Sequence, residues 1–74
     1  MAYRYDKLIG RIIEKFGNRR AFAKAMHMSA ESLSKKLNNK RCFDQREITL
    51  ACQLLDIAEA DVSVYFFTLE VQSA

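Results

Sequence analysis

Residues 18–40 read NRRAFAKAMHMSAESLSKKLNNK, and this stretch decides the fold. Asn18 and Ser29 are both good N-cap residues, and each is followed by about two turns of helix-forming residues. The residues between the two segments, 26–28, suffice only for a tight turn. A small residue, Ala23, stands where the two helix axes must approach closely. The pattern therefore predicts two short helices joined as in a helix-turn-helix.

The outward face of the second of these helices carries polar and small side chains that suit the base edges of a DNA groove. Lys35 can donate to guanine and Glu31 can accept from cytosine, although Glu31 can instead cap its own helix. Arg19 and Arg20 open the preceding helix, where free backbone N–H groups already favour a phosphate. The predicted DNA-binding residues are Arg19, Arg20, Ser29, Ala30, Glu31, Ser34, Lys35, Lys36, Asn39, Lys40 and Arg41.

Charge is distributed unevenly along the chain. Residues 1–46 hold all 12 lysines and arginines against four acids, a net charge of +8, whereas residues 47–74 hold five acids and no base, a net charge of −5. A basic half with a predicted helix-turn-helix indicates phosphate contact there, and the acidic half is expected to point away from nucleic acid. The alternative is an ordinary solvated surface of mixed charge.

Length and composition limit the function further. A chain of 74 residues forms one domain, which we place at 1–68 with a C-terminal tail at 69–74. A membrane span and a signal peptide both need apolar runs that the sequence lacks, so a cytoplasmic protein is expected. Cys42 and Cys52 are interpreted as free thiols, since a zinc site needs four close ligands. His27 has no nucleophile at a recognisable spacing, so no enzyme, cofactor or metal is predicted.

Three further helices are predicted around the central pair. Asp6 is expected to cap a helix before it, and Asp44 with Glu47 forms a capping box for a helix over 45–55. A short fifth helix is predicted at about 59–66, although residues 64–71, VYFFTLEV, also have the high β-propensity of a strand. The fold class expected from these elements is all-α.

Three residues have predicted backbone roles. Gly10, in the middle of the first helix, costs about 1 kcal/mol relative to alanine, and close approach of another helix is the expected compensation. His27 and Asn39 stand in turns where one residue needs a positive φ, which both tolerate better than β-branched residues do.

The C-terminal segment, residues 62–71, holds more large apolar side chains than a chain this small buries. We expect the exposed ones to form a homodimer interface. The predicted interface residues are Tyr65, Phe66, Phe67 and Leu69.

Residues 19–41, RRAFAKAMHMSAESLSKKLNNKR, resemble the helix-turn-helix of the lambda-repressor-like family, which includes Cro-type and xenobiotic-response-element regulators. Ala23 matches the family's small residue, and Leu33 matches the aliphatic residue of its recognition helix. His27 stands where the family usually has glycine, and Phe43 stands where proline is common.

The resemblance covers roughly residues 6–57 and implies a compact five-helix DNA-binding domain with its recognition helix at 29–38. It further implies a Cro-type phage or prophage repressor that regulates transcription by occupying a double-stranded DNA operator. A homodimer is expected, because half-sites about 34 Å apart multiply the discrimination of one short helix. No small-molecule substrate is implied.

A second hypothesis keeps the helical fold but gives it another partner. In it, the chain is an antirepressor or antitoxin-like module that uses the C-terminal apolar surface to bind another protein. Salt dependence separates the two hypotheses. Six or so phosphate contacts predict that log affinity for duplex DNA falls with log salt at a slope of about −5, whereas a flat response favours a protein partner.

Overall fold

Helices account for most of the chain. The computed structural model describes residues 2–70, and within this range it contains five α-helices and one 3-10 turn. The elements are α1 (Asp6–Phe16), α2 (Arg19–Ala25), α3 (Ala30–Leu37), α4 (Gln45–Leu55), the 3-10 turn (Glu59–Asp61) and α5 (Val62–Phe66). An isolated antiparallel bridge joins Tyr3 to Leu69. The prediction of a small all-helical fold with five helices is confirmed.

The N-termini of α2, α3 and α4 are capped by the side chains that the sequence predicts. Asn18 and Ser29 each accept a hydrogen bond from the backbone N–H three residues on, at 2.8 and 3.0 Å. In the capping box of α4, Asp44 accepts from the Glu47 N–H at 2.7 Å and Glu47 accepts from the Asp44 N–H at 3.0 Å. Each cap contributes about 1 kcal/mol and sets where its helix begins.

The start of α1 differs from the prediction. Asp6 is the first helical residue, the N-cap position is Tyr5, and no side chain caps this helix. Asp6 instead pairs with Arg4, with Nε and Oδ1 3.3 Å apart. A carboxylate in the first turn is still favourable, because it faces the positive end of the helix dipole.

Positive φ angles occur where the two turns were predicted to need them. His27 has φ 59° after α2, and Asn39 has φ 62° after α3. Asp56, with φ 54°, ends α4 in the same left-handed conformation, which the sequence analysis did not predict. The expected close approach of a helix to Gly10 is wrong. Gly10 is exposed, and a Cβ added there would meet nothing within 4 Å, because α1 packs through its opposite side.

The core lies where α1 to α5 converge. It is built mainly from the apolar side chains of the helices. The buried residues are Tyr5, Leu8, Ile12, Phe22, Ala23, Met26, Leu33, Leu37, Ala51, Leu55, Ile57 and Phe66. Ala23 is only 1% exposed, in agreement with the small residue expected between α2 and α3.

The fifth helix is shorter than predicted and changes type within its span. Residues 59–61 form the 3-10 turn, and the α-helix covers only Val62–Phe66. Leu69, the first residue of the predicted tail, pairs with Tyr3, and residues 71–74 lie outside the described range.

Both ends of the described chain are held together beside the turn that follows α3. Arg4 N–H donates to the Thr68 carbonyl at 2.7 Å. The Asn39 side chain accepts from the Tyr3 N–H at 2.8 Å and donates to the Tyr3 carbonyl at 2.9 Å. The positive φ of Asn39 therefore places a side chain that fastens the N-terminal segment.

Candidate interaction surfaces

Lys35 and Glu31, two of the residues of α3 predicted to contact base edges, bind each other. Lys35 Nζ lies 3.3 Å from Glu31 Oε1, one helical turn away. Both side chains are exposed, at 44% and 79% of their area, so the pair is a solvated i,i+4 contact worth a few tenths of a kcal/mol. The pair partly offsets the positive charge that Lys35 would offer to a nucleic acid.

Lys36, predicted to contact the DNA backbone, is turned into the protein. Its Nζ donates to Glu47 Oε1 at 2.9 Å and to the Cys42 carbonyl at 3.1 Å. Nζ also lies 5.9 Å from the centre of the Phe43 ring, and only 12% of the side chain is exposed. Lys36 therefore joins α3 to α4 and is not free to bind a phosphate.

Three other predicted DNA-binding residues have structural roles. The Asn39 side chain forms two hydrogen bonds with the backbone of Tyr3. Ser29 caps α3, and the Ser34 hydroxyl accepts from Asn38 Nδ2 at 3.3 Å.

The remaining predicted DNA-binding residues are exposed and form no ion pair with any residue in the range 2–70. They lie at the N-termini of α2 and α3 and in the turn after α3. They are Arg19, Arg20, Ala30, Lys40 and Arg41.

The C-terminal apolar surface is smaller than predicted. Phe66 is 2% exposed and belongs to the core, because the turn of α5 points it inward with Val62. Tyr65 is half-buried, whereas Phe67 and Leu69 follow the helix and remain 49% and 44% exposed. Phe66 is therefore not available to a partner, which corrects its assignment to an interface.

An apolar groove of about 830 Å³ lies between α4 and the segment that carries α5. Its lining combines partly buried apolar residues with exposed polar ones. The lining residues are Phe43, Gln45, Ile48, Thr49, Cys52, Gln53, Ile57, Glu59, Val62 and Phe67. This groove was not predicted from the sequence.

The groove arises from a mismatch in length between α4 and α5, which the longer fifth helix predicted at 59–66 concealed. The apolar stripe of α4 extends over 48–55, whereas α5 has only five residues to cover it. Ala51 and Leu55 are buried, but Ile48 and Cys52 stay half-exposed. Partial burial raises the pKa of the Cys52 thiol above its ordinary value, because a thiolate is poorly solvated there.

A second, smaller cavity of about 210 Å³ adjoins the groove. The two share Phe43, Ile48 and Phe67 as walls. The smaller cavity is lined mainly by aromatic rings, with Arg41 at its edge. The groove and the cavity together form one apolar surface beside the C-terminal segment.

Other site types find little support in the described part of the chain. Among residues 2–70 no cluster of His, Cys, Asp or Glu is suited to hold a metal ion. No helix of the described range has both the length and the apolar character that a membrane crossing requires.

A protein-family model described as "Protein of unknown function (DUF739)" matches residues 1–69. The chain belongs to this family. The chain is also similar to the solution structure of the modulator of repression (MOR) of the temperate bacteriophage TP901-1 from Lactococcus lactis, with 39% identity and a TM-score of 0.81 over 97% of each chain. No curated protein matches the sequence.

These findings overturn the identification as a Cro-type repressor. The family that matches is DUF739, and the similar structure is a modulator of repression. The two short helices α2 and α3 occur where they were predicted, but their assignment as a DNA-reading helix-turn-helix is not confirmed. The resemblance was misleading because helix size, caps and a small residue at the crossing are requirements of the helix pair itself. They do not require DNA.

Proposed function

We propose that this DUF739 protein is a protein-binding module that modulates repression by binding a phage repressor. The observation that carries the proposal is the similarity to a modulator of repression at 39% identity over 97% of each chain. Such identity over the whole chain supports a related function as well as a shared fold. The proposal develops the antirepressor-like hypothesis from the sequence.

The state of α3 also supports a protein partner. Lys35 is paired with Glu31, and Lys36 is held by Glu47 inside the molecule. Sequence-specific DNA binding depends on cations that are free to reach bases and phosphates. Lys36 is one of the cations best placed for that task and is held by its own chain, whereas Lys35 is in a weaker pair that solvent screens.

The repressor is proposed to bind the apolar surface that the groove and the smaller cavity form together. Phe67 lies at the centre of this surface. Phe67 is half-exposed, and it is a shared wall of the groove and the smaller cavity. The residues that contribute most to the stability of protein interfaces are often exposed aromatic side chains that the partner protein buries.

The same proposal covers where the protein acts and how it acts. The place of action is the cytoplasm, where a repressor meets its operator, and the chain acts by binding alone, without catalysis. The predicted homodimer stays a prediction, and sedimentation of the isolated chain over a range of concentrations tests it.

The test is isothermal titration of the chain with the repressor encoded in the same phage genome. We expect a defined complex that Phe67→Ala weakens by about tenfold or more, as for an interface anchor. Ile13→Ala is the matched control, since Ile13 on α1 is 44% exposed and lines neither cavity. Absence of any complex, or equal effects of the two variants, would contradict the proposal.

A further inference from the structure

We propose that the groove between α4 and α5 receives one amphipathic helix of the repressor, with a lysine or arginine at the edge that meets Glu59. This inference rests on the proposed function and adds the chemistry of the segment that is bound.

The shape of the groove matches a helix. On α4, the lining residues are Gln45, Ile48, Thr49, Cys52 and Gln53, spaced at i, i+3, i+4, i+7 and i+8. This spacing is a single stripe along the helix axis, which rises about 12 Å from Gln45 to Gln53. A groove of this length fits about two turns of a partner helix, whose apolar side chains at i, i+3 or i+4, and i+7 enter it.

The groove has an apolar floor and a polar rim. Its floor consists of Ile48, Cys52, Ile57 and Val62, all at least partly buried. The rim consists of exposed side chains, namely Gln45, Thr49, Gln53 and Glu59. An apolar centre with a polar edge is the usual organisation of a protein interface. It requires an occupant that is apolar on one side and polar on the other.

The negative charge at the rim of the groove favours a basic occupant. Glu59 is the charged residue that lines the groove, and Asp61 lies in the same 3-10 turn. Within residues 2–70, neither acid is in an ion pair, and the chain has no lysine or arginine after Arg46. Arg46 lines a shallow depression that adjoins the groove at the Gln45, Thr49 and Gln53 rim, on the side away from Glu59. The basic edge of the bound helix therefore lies on the Glu59 side.

The same charges argue against a second copy of this chain as the occupant. Two copies that met through this face would bring Glu59 and Asp61 of both copies to one interface. Like charges across an interface disfavour association. A repressor segment that carries lysine or arginine has no such penalty.

The experiment measures repressor binding by two variants that each replace an exposed acid with lysine. Glu59→Lys reverses the charge at the groove rim, and we expect it to weaken the complex by about tenfold, with a smaller salt dependence. Glu31→Lys makes the same change in net charge on α3, away from the groove, and we expect less than a twofold effect. Circular dichroism of both variants checks that the helices are retained.

A second measurement reports directly on the groove floor. In a Cys42→Ser variant, Cys52 is the single thiol, and its alkylation by iodoacetamide at mildly alkaline pH is followed by mass spectrometry. We expect bound repressor to slow this alkylation at least about fivefold, since the occupant covers the thiol.

The outcomes separate this inference from the proposed function. A tenfold loss in Glu59→Lys together with protection of Cys52 supports the inference. A complex that forms normally while Glu59→Lys binds as well as wild type, or while Cys52 stays reactive, overturns the inference and leaves the proposed function standing. A larger loss in Glu31→Lys than in Glu59→Lys also overturns it, because the repressor then binds the α3 side. Absence of any complex with the wild-type chain overturns both.

Discussion

Lys36 Nζ donates to Oε1 of Glu47 at 2.9 Å, and the same oxygen accepts the backbone N–H of Asp44 at 3.0 Å. One carboxylate oxygen therefore closes the capping box of α4 and joins α4 to α3. The Lys36 and Glu47 side chains are only 12% and 23% exposed, so solvent screens this pair less than a surface pair. The contact stabilises the fold on the side where phosphate binding was expected.

Replacing Lys36 should destabilise the protein. Lys36→Met leaves the Glu47 carboxylate half-buried without its cation, and we expect a loss of about 1–2 kcal/mol in the free energy of unfolding. Lys35→Met is the matched control, since Lys35 also pairs with a glutamate but in solvent, and its loss should be below about 0.5 kcal/mol. Urea denaturation of both variants measures the difference. Equal losses would show that Lys36 is an ordinary surface residue.

Gly10 offers a stabilising substitution. It lies inside α1, is exposed and has space for a Cβ, so Gly10→Ala should raise the free energy of unfolding by about 1 kcal/mol. Gly17→Ala is the contrasting variant, because Gly17 follows the same helix with φ 84°, which alanine adopts only with strain. We expect Gly17→Ala to lower the free energy of unfolding by about 1 kcal/mol or more. Thermal unfolding of the two variants tests the prediction. Destabilisation by Gly10→Ala would mean that another chain or segment approaches α1 closely at this position.

Asn39 should control the order of the N-terminal segment. Asn39→Ala removes both bonds to Tyr3, and we expect the Tyr3 amide to exchange with solvent at least about tenfold faster. Asn38→Ala is the control, since the Asn38 side chain donates to the Ser34 hydroxyl and not to Tyr3. Amide exchange followed by NMR gives the answer. An unchanged Tyr3 rate in Asn39→Ala would show that the bridge to Leu69 holds this segment without Asn39.

Tyr5 should make stability depend on alkaline pH. Burial raises the pKa of the Tyr5 phenol above its ordinary value, and nearby Cys42 and Tyr3 raise it further. Because the folded state holds the phenol proton more tightly than the unfolded state, the stabilisation is complete below the ordinary pKa of about 10 and is lost as pH rises through the folded value. The free energy of unfolding of wild type should therefore fall more than that of Tyr5→Phe between about pH 8 and pH 11. Parallel curves for the two proteins would refute this.

The sequence predicted the helices well, because their signals are local. Asn18, Ser29 and Asp44 cap residues three positions away, and His27 and Asn39 mark the turns by their own backbone preferences. These interactions involve only neighbouring residues, so the sequence alone is sufficient to identify them.

The function was harder to predict, because it depends on contacts between distant residues. Lys36 is engaged by Glu47, and Asn39 by Tyr3, which lies 36 positions away. Neither contact can be recognised from the pattern of residues 18–40, because the partner residue lies outside this segment. The groove likewise depends on how far α5 extends over α4, which no single segment determines.

The central claim is that this chain acts on a repressor, and the occupancy of an operator by that repressor tests it most directly. The repressor that the chain is proposed to bind is placed on its operator, the chain is added, and operator occupancy is followed by footprinting. We predict that occupancy changes once the chain is present in amounts comparable to the repressor. Unchanged occupancy, together with salt-sensitive binding of the operator by the chain alone, would contradict the account.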